Sequence, residues 1–151
     1  MLQNVNELLE LIPQSAPFRF LDEILEIHPD GIKATYRFRR EEFFYEGHFR
    51  GNPVTPGVIL LEAAAQAGLV AYGLYLASEQ MNESELRNHL TVFTDAQVDF
   101  MGIVRPGDQI TIIARKIFFR RMKLKVEVEC VSQEGKTVLR GTLGGMAVNR
   151  L

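Results

Sequence analysis

Residues 58–77 read VILLEAAAQAGLVAYGLYLA, twenty positions that carry one charged group, Glu62, and one carboxamide, Gln66. A run this apolar has membrane-spanning length. Yet the two polar side chains, set among Ala63, Ala64, Ala65, Ala67 and Gly68, suit a helix covered by protein on all sides, because ionisable groups facing lipid are costly. The stretch therefore predicts a core helix, with no membrane partner.

Elements on either side are laid out to cover that helix. Residues 5–12 place Val5, Leu8, Leu9, Leu11 and Ile12 on one face of a short amphipathic helix, and Pro13 stops it. Residues 18–27 and 31–38 alternate as the two strands of a hairpin hinged at Pro29, Asp30 and Gly31. In residues 47–57, Gly47, Gly51, Pro53, Pro56 and Gly57 preclude regular structure, so a shaped loop feeds directly into the long helix. Beyond the helix, residues 78–88 read as a solvated connection. Segments 90–100, 109–119, 123–131 and 137–148, rich in Val, Ile, Thr and Phe, read as strands of an antiparallel meander. One long apolar helix with about six strands is buried most economically when a curved antiparallel sheet wraps around it. The expectation is an α+β hot-dog fold forming a single domain over residues 1–151.

Composition agrees with that class and excludes others. A chain of 151 residues, 46% hydrophobic and 24% charged, forms a full core without disulfides or a structural metal. Cys130 is its only cysteine, and the opening MLQNVNELLE lacks the basic-then-apolar order of a secretion signal, so a cytoplasmic location is expected. Seventeen Lys and Arg against nineteen Asp and Glu give a net charge of -2, which argues against nucleic acid as a partner. His28 and His89 stand at no metal-ligand spacing and read as surface or strand-end residues; Cys130 reads as a small core residue.

The chemistry concentrates in residues 43–66. There Gly47-His48-Phe49 is followed by Gly51, Pro53, Pro56-Gly57, Glu62-Ala63 and Gln66. This spacing resembles the signature of the 3-hydroxyacyl-[acyl carrier protein] dehydratases of fatty-acid synthesis, and weaker similarity extends to Pro17-Phe18, Leu21-Asp22 and Arg105-Pro106-Gly107-Asp108. The resemblance implies a hot-dog dehydratase whose partner is acyl carrier protein, with no metal or organic cofactor. It also implies a homodimer or a trimer of dimers, in which histidine and carboxylate of one site come from opposite subunits. A glutamate at position 62, where the other dehydratase type of the pathway has aspartate, implies the broad-substrate elongation type.

The residues themselves can do this work. Removing water from a 3-hydroxyacyl thioester needs a base at C2, an acid at the departing hydroxyl and a donor for the enolate-like thioester oxygen. His48 offers an imidazole, the side chain most often used to move protons in such steps, and suits the base. Glu62, desolvated in an apolar helix, suits the acid. Gly57 and Val58 open the helix, where backbone N–H groups point outward at the positive end of the dipole, and they are the oxyanion and substrate-binding candidates. Gln66, one turn after Glu62, shares its helix face and can hold the carboxyl in place.

Three departures from the signature bear on substrate choice. Gln14-Ser15-Ala16 precedes Pro17, Arg50 stands where the usual residue is Pro, and Asp99-Phe100-Met101-Gly102 removes basic groups expected near the carrier. They admit a specialised lipid, aryl-polyene or polyketide role. The basic tracts at Arg37, Arg39, Arg40, Arg115, Lys116, Arg120, Arg121, Lys123 and Lys125 read as solvated strand faces or as a rim that steers an acidic carrier. Two alternatives stay open from the residues: a hot-dog acyl thioesterase, which would release free thiol, and a non-catalytic subunit that binds acyl thioesters.

Overall fold

In the computed structural model, which describes residues 4–150, the apolar stretch is one continuous helix, Gly57–Ala77 (α2). It is preceded by Val5–Leu11 (α1) and the hairpin Glu23–His28 (β1) and Gly31–Arg37 (β2). It is followed by a short helix, Glu83–Arg87 (α3), and four long strands: His89–Phe100 (β3), Gln109–Arg120 (β4), Lys123–Ser132 (β5) and Thr137–Asn149 (β6). The strands form a single sheet in the order β1-β2-β4-β5-β6-β3, every neighbouring pair antiparallel. This is the hot-dog arrangement that the sequence predicts.

Burial of α2 organises the rest. Leu60, Leu69 and Val70 and the alanines at 63, 64, 65, 67 and 71 are all buried, and each large apolar side chain so covered contributes about 1.5–3 kcal/mol. The middle of the helix, residues 66–71, touches β2, β3, β4, β5 and β6. It comes so close to the sheet that a methyl group at Gly68 would lie 3.1 Å from Cβ of Ala114. The small residues are therefore what allows the sheet to close on the helix. Register shifts at Ile24/Glu26, Phe93/Asp95, Lys116/Phe118 and Cys130/Val131 mark bulges, which bend the strands they interrupt. Although α2 is long and apolar enough to cross a membrane, most of it is covered by the chain's own sheet.

Four details depart from the sequence-based expectation. The first strand begins at Glu23, because the backbone before it is drawn to the helix: Phe20 N–H donates to Gln66 Oε1 on α2, and the chain meets β2 only at Asp22, whose N–H donates to Thr35 O. The meander holds for β4, β5 and β6, but β3 lies at the far edge beside β6. A helix of this length carries the chain about 30 Å, so α2 crosses the sheet before β3 begins. Within the 78–88 connection, Asn82 and Glu85 form a reciprocal capping box that starts α3, and Leu86 anchors it in the core. Finally, residues 66–71 are π-helical rather than α-helical.

Cys130 lies wholly in the core, where burial pushes its thiol up to about 12 and leaves it unreactive. β3, by contrast, is exposed along most of its length, with Val92, Phe93 and Phe100 among its open side chains. Its pairing with β6 is tight. A Cβ at Gly141 would meet the Gln97 carbonyl oxygen at 2.0 Å and Cα of Val98 at 2.6 Å, both of them backbone atoms that cannot rotate away. We expect Gly141→Ala to lower stability by about 2 kcal/mol or more, read from the midpoint of urea unfolding; an unchanged midpoint would show that this strand pair is looser than described.

Candidate active site

The loop between β2 and α2 folds on itself by hydrogen bonds of its own. Phe49 and Asn52 exchange N–H to O=C bonds of 3.1 and 2.9 Å, and Val54 N–H donates to His48 O at 2.8 Å. The His48 ring returns the contact, its Nδ1 lying 2.8 Å from Val54 O. A carbonyl oxygen only accepts, so in the neutral ring Nδ1 carries the proton and Nε2 keeps the lone pair. The imidazole is thus half-buried, held in one tautomer and stacked on Phe49 with centroids 4.1 Å apart. It is set up to take a proton at Nε2.

At the neck of this loop two hydroxyls meet out of solvent. Tyr45 OH and Thr55 Oγ1 are 2.6 Å apart, with the residues 5% and 4% exposed. Thr55 N–H also donates to Val104 O, which ties the end of the loop to the segment after β3. Pro56 then turns the chain into α2 and provides no side-chain cap. The first N–H groups of the helix, those of Gly57 and Val58, have no intrahelical acceptor by their position. Gly57 lies beside the Phe100 ring, which a methyl group there would approach to 3.1 Å, and the Val58 side chain is 70% exposed. An open amide pair at the positive end of a helix dipole can receive a developing negative charge.

Glu62 projects from the next turns of the same helix. Burial raises its pKa, and the hydrogen bond from Gln66 works the other way without cancelling that effect. Gln66 is fully buried and uses both ends of its amide. Its Nε2 donates to Glu62 Oε1 and to Phe18 O, both at 2.9 Å, while its Oε1 accepts from Phe20 N–H at 2.7 Å. One side chain therefore orients the carboxyl and pins residues 18–20 against the helix. The second duty was not legible in the sequence, since nothing marks Phe18 and Phe20 as backbone partners; an amide inside an apolar helix was the available signal.

Among the described residues, no hydrogen bond or ion pair joins His48 to Glu62 within the chain. Nor does either line the apolar cleft at the other half of α2, which Leu69, Gly73, Met81, Phe119 and Met122 help to enclose. Around Gly57, the 99–102 stretch from which the resemblance predicts basic groups to be missing carries an exposed Asp99 together with exposed Phe100 and Met101; Ile103 beside it and Phe49 in the loop are exposed as well. His28 and His89 sit at strand ends, away from this chemistry: Nδ1 of His28 accepts from Asp30 N–H and Nδ1 of His89 contacts Glu85 O.

Comparison with known proteins places this geometry in a family. The FabA-like domain matches residues 12–142. The 3-hydroxyacyl-[acyl-carrier-protein] dehydratase FabZ of Lactococcus lactis subsp. cremoris strain SK11 is 33% identical over 141 residues, covering 93% of this chain and 92% of its own. Among solved structures, the dehydratase heterocomplex ApeI:P of Xenorhabdus doucetiae superposes with a TM-score of 0.76 at 15% identity, covering 95% of this chain and 91% of that one. A thioesterase of Haemophilus influenzae superposes at 0.67 with 21% identity, covering 99% and 93%. These structural likenesses carry the hot-dog fold, and the sequence relatives carry the family: the chain belongs to the FabA-like domain family, among relatives of the FabZ type.

Proposed function

We propose that this protein dehydrates 3-hydroxyacyl thioesters presented on acyl carrier protein to 2-enoyl thioesters, in fatty-acid synthesis or a related lipid or polyketide pathway in the cytoplasm. The observation that carries the reading is the pairing, on one helix, of an uncapped N-terminal amide at Gly57 with a desolvated carboxyl at Glu62 held by Gln66. His48 Nε2 takes the C2 proton as the C2–H bond breaks. Electron density moves toward the thioester oxygen, which the Gly57 and Val58 amides stabilise. It then returns to form the C2–C3 double bond as the C3–O bond breaks, and Glu62 delivers its proton so that the hydroxyl leaves as water. Side chains and backbone supply every step.

The site is proposed to be shared between two subunits of a homodimer, either alone or within a trimer of dimers. The open edge of β3, the exposed Phe49, Val58 and Phe100, and the lack of a bond between His48 and Glu62 within one chain all support this. A sheet edge that presents unpaired backbone and apolar side chains is a ready surface for a second copy.

Purified protein supplied with 3-hydroxybutyryl and longer thioesters on carrier and on coenzyme A should form enoyl product with no free thiol; thiol release would instead identify a thioesterase. His48→Ala and Glu62→Gln should each lose about 100-fold or more in turnover, with the fold retained in circular dichroism. Co-expressed, the two dead variants should recover about a quarter of parental turnover, because random pairing of a two-fold dimer leaves one intact site in half of the molecules. No recovery would place both groups in the same subunit.

Glu62 also makes a prediction about stability. Its folded-state pKa lies above the unfolded value, so the folded protein binds that proton more tightly than the unfolded chain does. The resulting stabilisation is complete below the ordinary carboxylate range and is lost as pH rises through the raised value. Glu62→Gln removes this dependence. Relative to the parent, the variant should be more stable at pH 8 and lose that advantage as the pH falls toward 4, as read from thermal unfolding at each pH; a constant difference would mean that the carboxyl is not desolvated.

A further inference from the structure

The buried hydroxyl pair at the neck of the His48 loop has no part in the steps above. Tyr45 and Thr55 bracket the loop, ten residues apart, and their side chains are joined by a 2.6 Å hydrogen bond out of solvent. Neighbouring contacts show what this bond governs. Val54, the only hydrogen-bond partner of the His48 ring among the described residues, is the residue next to Thr55. Its N–H and C=O both bond to His48, one to the backbone and one to the ring. Wherever Thr55 holds Val54, the imidazole must follow.

We propose that Tyr45 and Thr55 are positioning residues for His48: their matched, buried contact, made here by two hydroxyls, closes the loop and thereby fixes the tautomer and direction of the imidazole, without either touching substrate. The pair suits that task. Burial pushes the Tyr45 phenol up to about 12, so it stays neutral and serves as a hydrogen-bonding group across the working pH range. Thr55 is held on its other side by its N–H bond to Val104 O, so the lock is referred to the sheet and not merely to the loop. Tyr45 in turn packs edge-on against the Phe44 ring, 4.7 Å between centroids. Removing one hydroxyl leaves the other buried and unsatisfied, whereas removing both leaves two apolar groups facing each other; the two cases differ in sign, because an orphaned buried polar group is costly and a matched apolar pair is not.

That contrast supplies the test, which rests on the dehydratase reading for its kinetic arm only. Tyr45→Phe and Thr55→Val should each lower kcat about tenfold with KM nearly unchanged. The double variant Tyr45→Phe with Thr55→Val should recover most of the loss, and Thr55→Ser, which keeps the hydroxyl, should stay near the parent. The second arm is independent of catalysis: nitrogen-15 NMR of the His48 ring should show one tautomer, protonated at Nδ1, in the parent, Thr55→Ser and the double variant, and a tautomer mixture in each single variant. Single variants that melt earlier yet keep both the kcat and the tautomer of the parent would overturn the proposal, leaving the pair a plain core contact. So would a double variant no better than either single variant. Turnover that survives His48→Ala would sink the catalytic role of the histidine while the NMR arm still decides whether the lock exists.

Discussion

Twenty-one consecutive helical residues with one charged side chain cannot remain in water, and the rest of this fold is arranged to cover them. The sheet closes around α2 only because alanines and Gly68 line the face it meets; larger side chains there would hold the strands off. Closure needs curvature, and the bulges in β1, β3, β4 and along the β5–β6 pair supply it. The residues that make the core possible are thus small ones on the helix and irregular ones on the sheet. Neither class draws notice in an inventory of large hydrophobic residues.

The same burial creates the chemistry. A carboxyl on an exposed helix would titrate in its ordinary range and be ionised at neutral pH; on α2 desolvation moves it toward the protonated form that a general acid needs. Gln66 keeps this from becoming an unsatisfied buried group, and it draws on the loop backbone at Phe18 and Phe20 to complete its own hydrogen bonds. Helix start and helix carboxyl are fixed relative to each other by five residues of regular backbone. The imidazole lies on a loop and has no such rigidity, which is why that loop is cross-braced by bonds between His48 and Val54 and closed by Tyr45 and Thr55.

Much of this was legible in residue order because local rules govern it. The limits of α2, β4, β5 and β6 follow from apolar runs broken by Pro, Gly and paired charges, and the structure places them within a residue or two of expectation. The candidate site was legible for the same reason: His48, Gly57, Glu62 and Gln66 stand at fixed spacings within nineteen consecutive positions. What escaped depends on partners distant in sequence. The place of β3 at the sheet edge is set by where α2 delivers the chain, and the late start of β1 by an amide forty-six residues away. The helix at Glu83–Arg87 was missed despite its capping signal, because a polar surface turn offers no apolar period to read.

Division of the site between a rigid helix and a braced loop also limits where specificity can vary. Changes on α2 disturb the packing that holds the sheet closed, so its polar set is constrained by stability as much as by reaction. Residues 99–103 escape that constraint. They leave the end of β3, contribute exposed Phe100, Met101 and Ile103, and reach the site through the Phe100 ring beside Gly57; the next residue, Val104, receives the Thr55 N–H at its carbonyl. A segment that adjoins the start of α2, carries apolar surface and sits on an open strand edge can change at little cost to the core. Residues 99–102, where the dehydratase signature leads one to expect basic groups, thus lie on this variable edge and not in the packed helix.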